Sequence, residues 1–142
     1  MTNTNKVRSL WEPEVPEIVF VFGSNTRGIH GAGAARDAVD YWGAIYYHWS
    51  GLQGEAYAIP TLDGDFNQLP LDEIEEFVEE FMAFALVHPN TDFQVTAIGT
   101  GLAGFTAEQI APMFRGAPKN VHLPLAWKGL VSSIGRPADK AS

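Results

Sequence analysis

The chain has no cysteine. Disulfides, zinc–thiolate sites and thiol nucleophiles are therefore excluded. It is also poor in positive charge, with nine Lys and Arg against seventeen Asp and Glu and a net charge of −8. A general nucleic-acid binder gains affinity by neutralising phosphates with Lys and Arg, so that class is excluded. Any phosphate ligand must be held mainly by backbone N–H groups, as glycine-rich loops and helix N-termini do. No apolar run reaches the ~18–20 residues of a membrane helix. The segment Met1–Arg8 lacks the apolar core of a secretory signal. A cytosolic chain with no membrane partner is expected. His30, His48, His88 and His122 are scattered without metal-ligand spacing. No metal site and no cofactor are expected.

What is present suits one domain: 142 residues, of which 46% are hydrophobic. Residues 1–16 are polar and contain Pro13 and Pro16; they read as an arm, with Trp11 as its anchor. Residues 17–131 read as the domain and 132–142 as a flexible tail. Ile18–Phe22 is a continuous apolar run, which predicts a strand buried on both faces. Ala34–Trp42 has helical spacing of its apolar positions and is stopped by Gly43. Ala44–Tyr47 predicts a short strand, Gly51–Gly54 a loop, and Tyr57–Pro60 another strand. Pro70 opens the clearest helix, Leu71 to about Leu86. Its core stripe is Leu71, Ile74, Val78, Phe81 and Ala85, and its glutamates form a solvated face. Phe93–Ile98 predicts a strand, Ala107–Phe114 a helix capped by Thr106, and Val121–Leu123 a last strand. Trp127 reads as a packing anchor. The alternation implies a three-layer α/β/α domain with a mixed, mostly parallel sheet.

Two glycine-rich loops directly follow predicted strands: Gly23–Gly33 and Gly99–Gly104. In such folds ligands bind at the carboxyl ends of the strands, where both loops fall. Neither loop is a Walker A motif, since no Gly-Lys-[Ser/Thr] is present. Neither is a Rossmann fingerprint, since Gly31-Ala-Gly33 lacks its third glycine and lies too far beyond the strand. The physical logic of an anion cradle remains. Gly31 and Gly33 let a ligand approach the backbone, and Ala32, Ala34 and Ala35 keep the helix start narrow. Gly99, Gly101 and Gly104 repeat the pattern. The alternative is that these glycines serve only tight turns.

The stretch from Phe20 to Ala35, with Gly23-Ser-Asn-Thr-Arg-Gly-Ile-His-Gly-Ala-Gly33 at its centre, resembles the first ligand loop of macro domains. Ala97-Ile-Gly-Thr-Gly-Leu-Ala-Gly-Phe-Thr106 is similar to their second, diphosphate-cradling loop. The nearest likeness is to the branch that removes ADP-ribose from carboxylates or nucleic-acid bases. Small bacterial and phage proteins share the same loops and the Tyr57-Ala-Ile-Pro-Thr61 segment. The resemblance covers roughly residues 18–124 and implies a macro-domain-like fold that binds ADP-ribose. It assigns Asn25, with Gly23 and Ser24 before it, to the distal ribose. Gly31, Ala32, Gly33 and Ala34 would run along ribose and diphosphate. Gly99, Thr100, Gly101, Leu102, Ala103 and Gly104 would cradle the diphosphate, and Phe105 would pack on the distal ribose. The chain departs from the hydrolase branch at two positions. Leu62 stands where a lysine commonly follows the Pro-Thr strand end, and Ala103 stands where an acidic residue is found. The aspartate that reads the adenine has no match.

Candidate chemistry lies on Asn25, His30 and Asp63. His30 titrates near neutrality and sits within the first loop; otherwise it is a loop histidine bonded to backbone. Asp63 or Asp65 offers a general base, or else simply builds an Asp-Gly turn. Arg27 offers a charge to phosphate or is plain surface. Tyr46, Tyr47, His48 and Trp49 offer an adenine stack, or else packing. Three readings follow: a reader or sequestering protein for ADP-ribose or a related nucleotide, a hydrolase of ADP-ribosyl bonds, or an interaction domain with structural glycines only. The sequence leaves the oligomeric state open.

Overall fold

A computed structural model describes residues 15–131. The expected arm up to residue 14, its Trp11 anchor and the tail from 132 lie outside the described residues. The domain is α/β, with a five-stranded mixed, mostly parallel sheet covered on both faces.

Strand β1 (Ile18–Asn25) lies at the centre. Helix α1 (Gly33–Trp42), the hairpin β2 (Gly51–Gln53) and β3 (Ala56–Leu62), and helix α2 (Leu71–Leu86) follow. Then come β4 (Asp92–Val95), the short helix α3 (Ala107–Ile110) and β5 (Val121–His122). The sheet order is β2-β3-β1-β4-β5. All neighbours are parallel except β2 and β3.

The central strands are apolar up to their carboxyl ends because each face meets its own core. Val19, Val21, Tyr57 and Ile59 point into the larger core, under Ile74, Val78, Phe81 and Ala85 of α2. Phe81 meets the rings of Tyr57, Phe93 and Phe114 at centroid distances of 5.0–6.3 Å. Phe22, Ala56 and Ala58 point the other way, under Ala38 of α1, with Phe20 stacked on Trp42 at 5.2 Å. Small residues on β3 let α1 approach closely on that face. Trp127 is buried against Phe114, as its anchor reading expected.

Several expected elements differ. Ala44–Tyr47 is a turn and not a strand. Gly43 ends α1 in the left-handed region (φ 78°), and Ala44 N–H closes back on the Ala38 carbonyl. The next donors leave the sheet: Ile45 N–H binds the Gln53 side chain and Tyr47 N–H binds the Gly28 carbonyl. The expected loop at Gly51 is instead β2, joined to β3 by the two-residue turn Gly54-Glu55. Gly54 has φ 61°, and a Cβ there would collide with the Gly43 carbonyl. Ala107–Phe114 is two pieces, because Pro112 converts its second half to a 3-10 helix. Thr106 and Gln109 form the reciprocal cap at its start. Strand β1 runs three residues past Phe22, while β4 stops at Val95.

Candidate functional site

The carboxyl ends of β1, β3 and β4 open into a cleft of about 960 Å³. Its walls include Gly23, Ser24 and Asn25 from the end of β1, and Gly31–Ala35 at the start of α1. The opposite wall is Gly99 to Ala103. The two glycine loops therefore face one cavity. The pairing of β1 with β3 shifts register between Ser24 and Asn25 at this point.

Both loops present backbone donors. Ala32 caps α1 with an extended backbone and no side-chain hydrogen bond, and the first turn carries no acidic residue. The N–H groups of Gly33, Ala34 and Ala35 have no intrahelical acceptor and carry the positive end of the helix dipole. In the second loop, Thr100, Gly104 and Phe105 donate to backbone carbonyls within the loop. The N–H groups of Gly101, Leu102 and Ala103 have no acceptor among the described residues. None of the described residues lining the cleft carries a charge.

Asn25 is buried and its amide holds the first loop. Its Oδ1 accepts from the N–H of Arg27 (3.1 Å) and Ile29 (3.0 Å), and its Nδ2 donates to the Ile29 carbonyl (2.9 Å). Ser24 lines the cleft and donates its hydroxyl to the Trp49 carbonyl at 2.6 Å.

Four expected site residues are placed elsewhere. His30 has 0% exposure and packs edge-on against Phe22 in the smaller core, away from the cleft lining. Its Nε2 donates to the His48 carbonyl at 3.3 Å, and its Nδ1 has no partner. Desolvation holds its pKa below 6.5, against smaller opposing contributions from its hydrogen bonds. Phe105 is 7% exposed and packs beside Gly99 and Ile110, so its ring belongs to the core. Gly104 turns the chain at φ 80° outside the cleft lining. Asp63 lies outside the lining too. Its Oδ1 accepts from the N–H of Asp65 (2.8 Å) and Asn67 (2.9 Å), building the turn after β3. The Asn67 N–H, then that of Asp65, lower its pKa. Asp65 is exposed at the tip of this turn and is absent from the lining.

Arg27 is also absent from the lining; its guanidinium donates to the Gly64 carbonyl at 3.0 Å. The aromatic segment Tyr46–Trp49 forms a separate shallow groove of about 520 Å³. The Gly28, Ser24 and His30 contacts described above tie that segment to the first loop. Leu62 lines the cleft, and so do Thr61, Phe66 and Thr96, which the sequence does not mark as site residues. Thr61 and Leu62 end β3, Phe66 lies in the turn beyond it and Thr96 directly follows β4, and neither glycine loop includes them. Among the described residues, no cluster of three or more His, Asp or Glu is placed to hold a metal, and no helix is long and apolar enough to cross a membrane. No family model, curated protein or solved structure matches the chain.

Proposed function

We propose that this chain binds ADP-ribose or a related phosphorylated nucleotide in the cleft between its two glycine loops, as a reader or sequestering protein of macro-domain type. The observation that carries the reading is the convergence of two sets of unpaired backbone N–H groups on one uncharged cavity. One set is the uncapped start of α1 and the other is Gly101–Ala103. Unpaired backbone donors on the walls of one cavity favour a diphosphate even in an acidic chain, because the dipoles are fixed and no lysine is required. A cavity of about 960 Å³ is ample for a nucleotide of this size.

Binding is favoured over hydrolysis by the side chains at hand. Leu62 and Ala103 line the cleft where the hydrolase branch would carry lysine and acid. Asp63 and His30 are each engaged away from the cavity. Calorimetric titration of the chain with ADP-ribose tests the proposal. Saturable heat at one site per chain is expected. The absence of both heat and thermal stabilisation at millimolar ligand would sink it.

A further inference from the structure

One cleft residue has no role in the diphosphate cradle. Phe66 is the only aromatic side chain among the described residues lining the cavity. It is 47% exposed and its backbone sits at φ 65°. A bulky residue rarely adopts that left-handed conformation, so the surrounding turn must impose it.

The turn does so through a closed set of bonds. Asp63 N–H donates to the Asn67 carbonyl (2.8 Å), and Phe66 N–H donates to the Asp63 carbonyl (3.1 Å). The Asp63 carboxylate binds the N–H of Asp65 and Asn67 from inside the turn. The base of the turn continues β3, with Leu62 bridged to Gln68 and Leu69 N–H on the Thr61 carbonyl (3.0 Å). Gln68 Nε2 then donates to the Ala103 carbonyl at 2.8 Å. The turn that carries Phe66 is therefore fastened to the second glycine loop.

We infer that Phe66 is the stacking platform of the cleft, receiving the flat apolar face of a ring of the nucleotide ligand, and that Asp63 is the residue that positions it. The inference rests on the proposed nucleotide binding. An aromatic ring on one wall complements backbone donors on the others. The donors take the phosphates and the ring takes a sugar or base, which every nucleotide also carries. Phe105 cannot supply this surface, since its ring is spent in the core.

Calorimetry on the full chain and the variants Phe66→Ala, Phe66→Tyr, Asp63→Ala and Asp63→Asn tests it, with ADP-ribose, ADP and ribose 5-phosphate as probes. Phe66→Ala should weaken ADP-ribose by about tenfold, the order of one stacking contact, while Phe66→Tyr retains affinity. Asp63→Ala should weaken binding similarly, and Asp63→Asn, which keeps the Oδ1 acceptor, should restore it. Loss shared by ADP-ribose and ADP but not ribose 5-phosphate identifies the base as the stacked ring. Loss confined to ADP-ribose and ribose 5-phosphate identifies the terminal ribose. If the parent binds and Phe66→Ala binds all three probes equally well, the stacking role is overturned while nucleotide binding stands. Equal weakening by Asp63→Asn and Asp63→Ala overturns the positioning role. A parent that binds none of the probes overturns the nucleotide reading and this inference with it.

Discussion

Replacing Gly101 with valine separates a ligand site from a merely structural glycine loop. Gly101 is exposed on the cleft wall, and a Cβ built there meets nothing within 4 Å. Its φ lies outside the left-handed region, so a side chain brings no backbone strain. Surface substitutions of this kind change stability by about 0.5 kcal/mol or less. Gly99 is the contrasting control. Its φ is 77°, and a Cβ would stand 3.2 Å from two carbons of the Ile110 side chain. Left-handed strain in a non-glycine residue costs about 1–3 kcal/mol, and the crowding against Ile110 adds to it. Thermal denaturation should therefore show Gly101→Val melting with the parent and Gly99→Val melting several degrees lower. Titration with ADP-ribose should show the reverse weighting for Gly101→Val. A branched side chain among the unpaired N–H groups of Gly101–Ala103 should cost at least about 1.4 kcal/mol of binding, a tenfold loss. The reasoning fails if Gly101→Val binds ADP-ribose as tightly as the parent, or if it unfolds as early as Gly99→Val.

Other substitutions address the scaffold of the site. Asn25→Ala removes three hydrogen bonds that hold the first loop, and should cost about 2–4 kcal/mol in chemical denaturation. A loss below half a kcal/mol would mean that water replaces them. Asn120 reaches the carbonyls of Ala85, His88 and Thr91 with one buried amide nitrogen, closing the end of α2. Asn120→Ala should cost about 2–3 kcal/mol, read as a lower melting temperature, and an unchanged melting temperature would refute this capping role. His30 gives a pH signature. Its folded pKa is depressed below 6.5, so the unfolded chain takes up the proton first. Its contribution is complete above pH 6.5 and is lost as pH falls toward the folded value. Denaturation midpoints from pH 8 to pH 5 should fall for the parent, and His30→Phe should flatten that slope; parallel slopes would exclude His30 as the origin.

The sequence makes the framework of the fold legible where its patterns are long or doubly signalled. The apolar run of β1, the stripe of α2 and the Thr106 cap each state their environment in neighbouring residues, except at the element starts, where Ile18 and Leu71 are exposed. The two glycine loops likewise fall on one cavity, because strand-end loops of a parallel sheet share an edge. The β2–β3 hairpin is harder to read, since Gly51-Leu-Gln53 is short and Gly54-Glu55 is an inconspicuous turn. Ala44–Tyr47 has strand composition, yet its donors are taken by Gln53 and Gly28, partners that periodicity does not reveal. The cleft's aromatic residue is hard to read for a similar reason. Phe105 follows the glycine loop but falls into the core behind Gly99, whereas Phe66 sits in a polar turn and faces the cleft. Loop proximity in sequence does not determine which side of the sheet edge a ring faces. His30 lies among glycines of the loop, yet it is buried against Tyr46 and the His48 carbonyl, sixteen and eighteen residues later.

The most direct measurement is an amide chemical-shift map of the labelled chain during titration with ADP-ribose. The largest changes are expected at the N–H groups of Gly33, Ala34 and Ala35 and of Gly101, Leu102 and Ala103, moving together with one affinity. Shifts confined to another surface, or none at saturating ligand, would contradict a diphosphate held between the two loops.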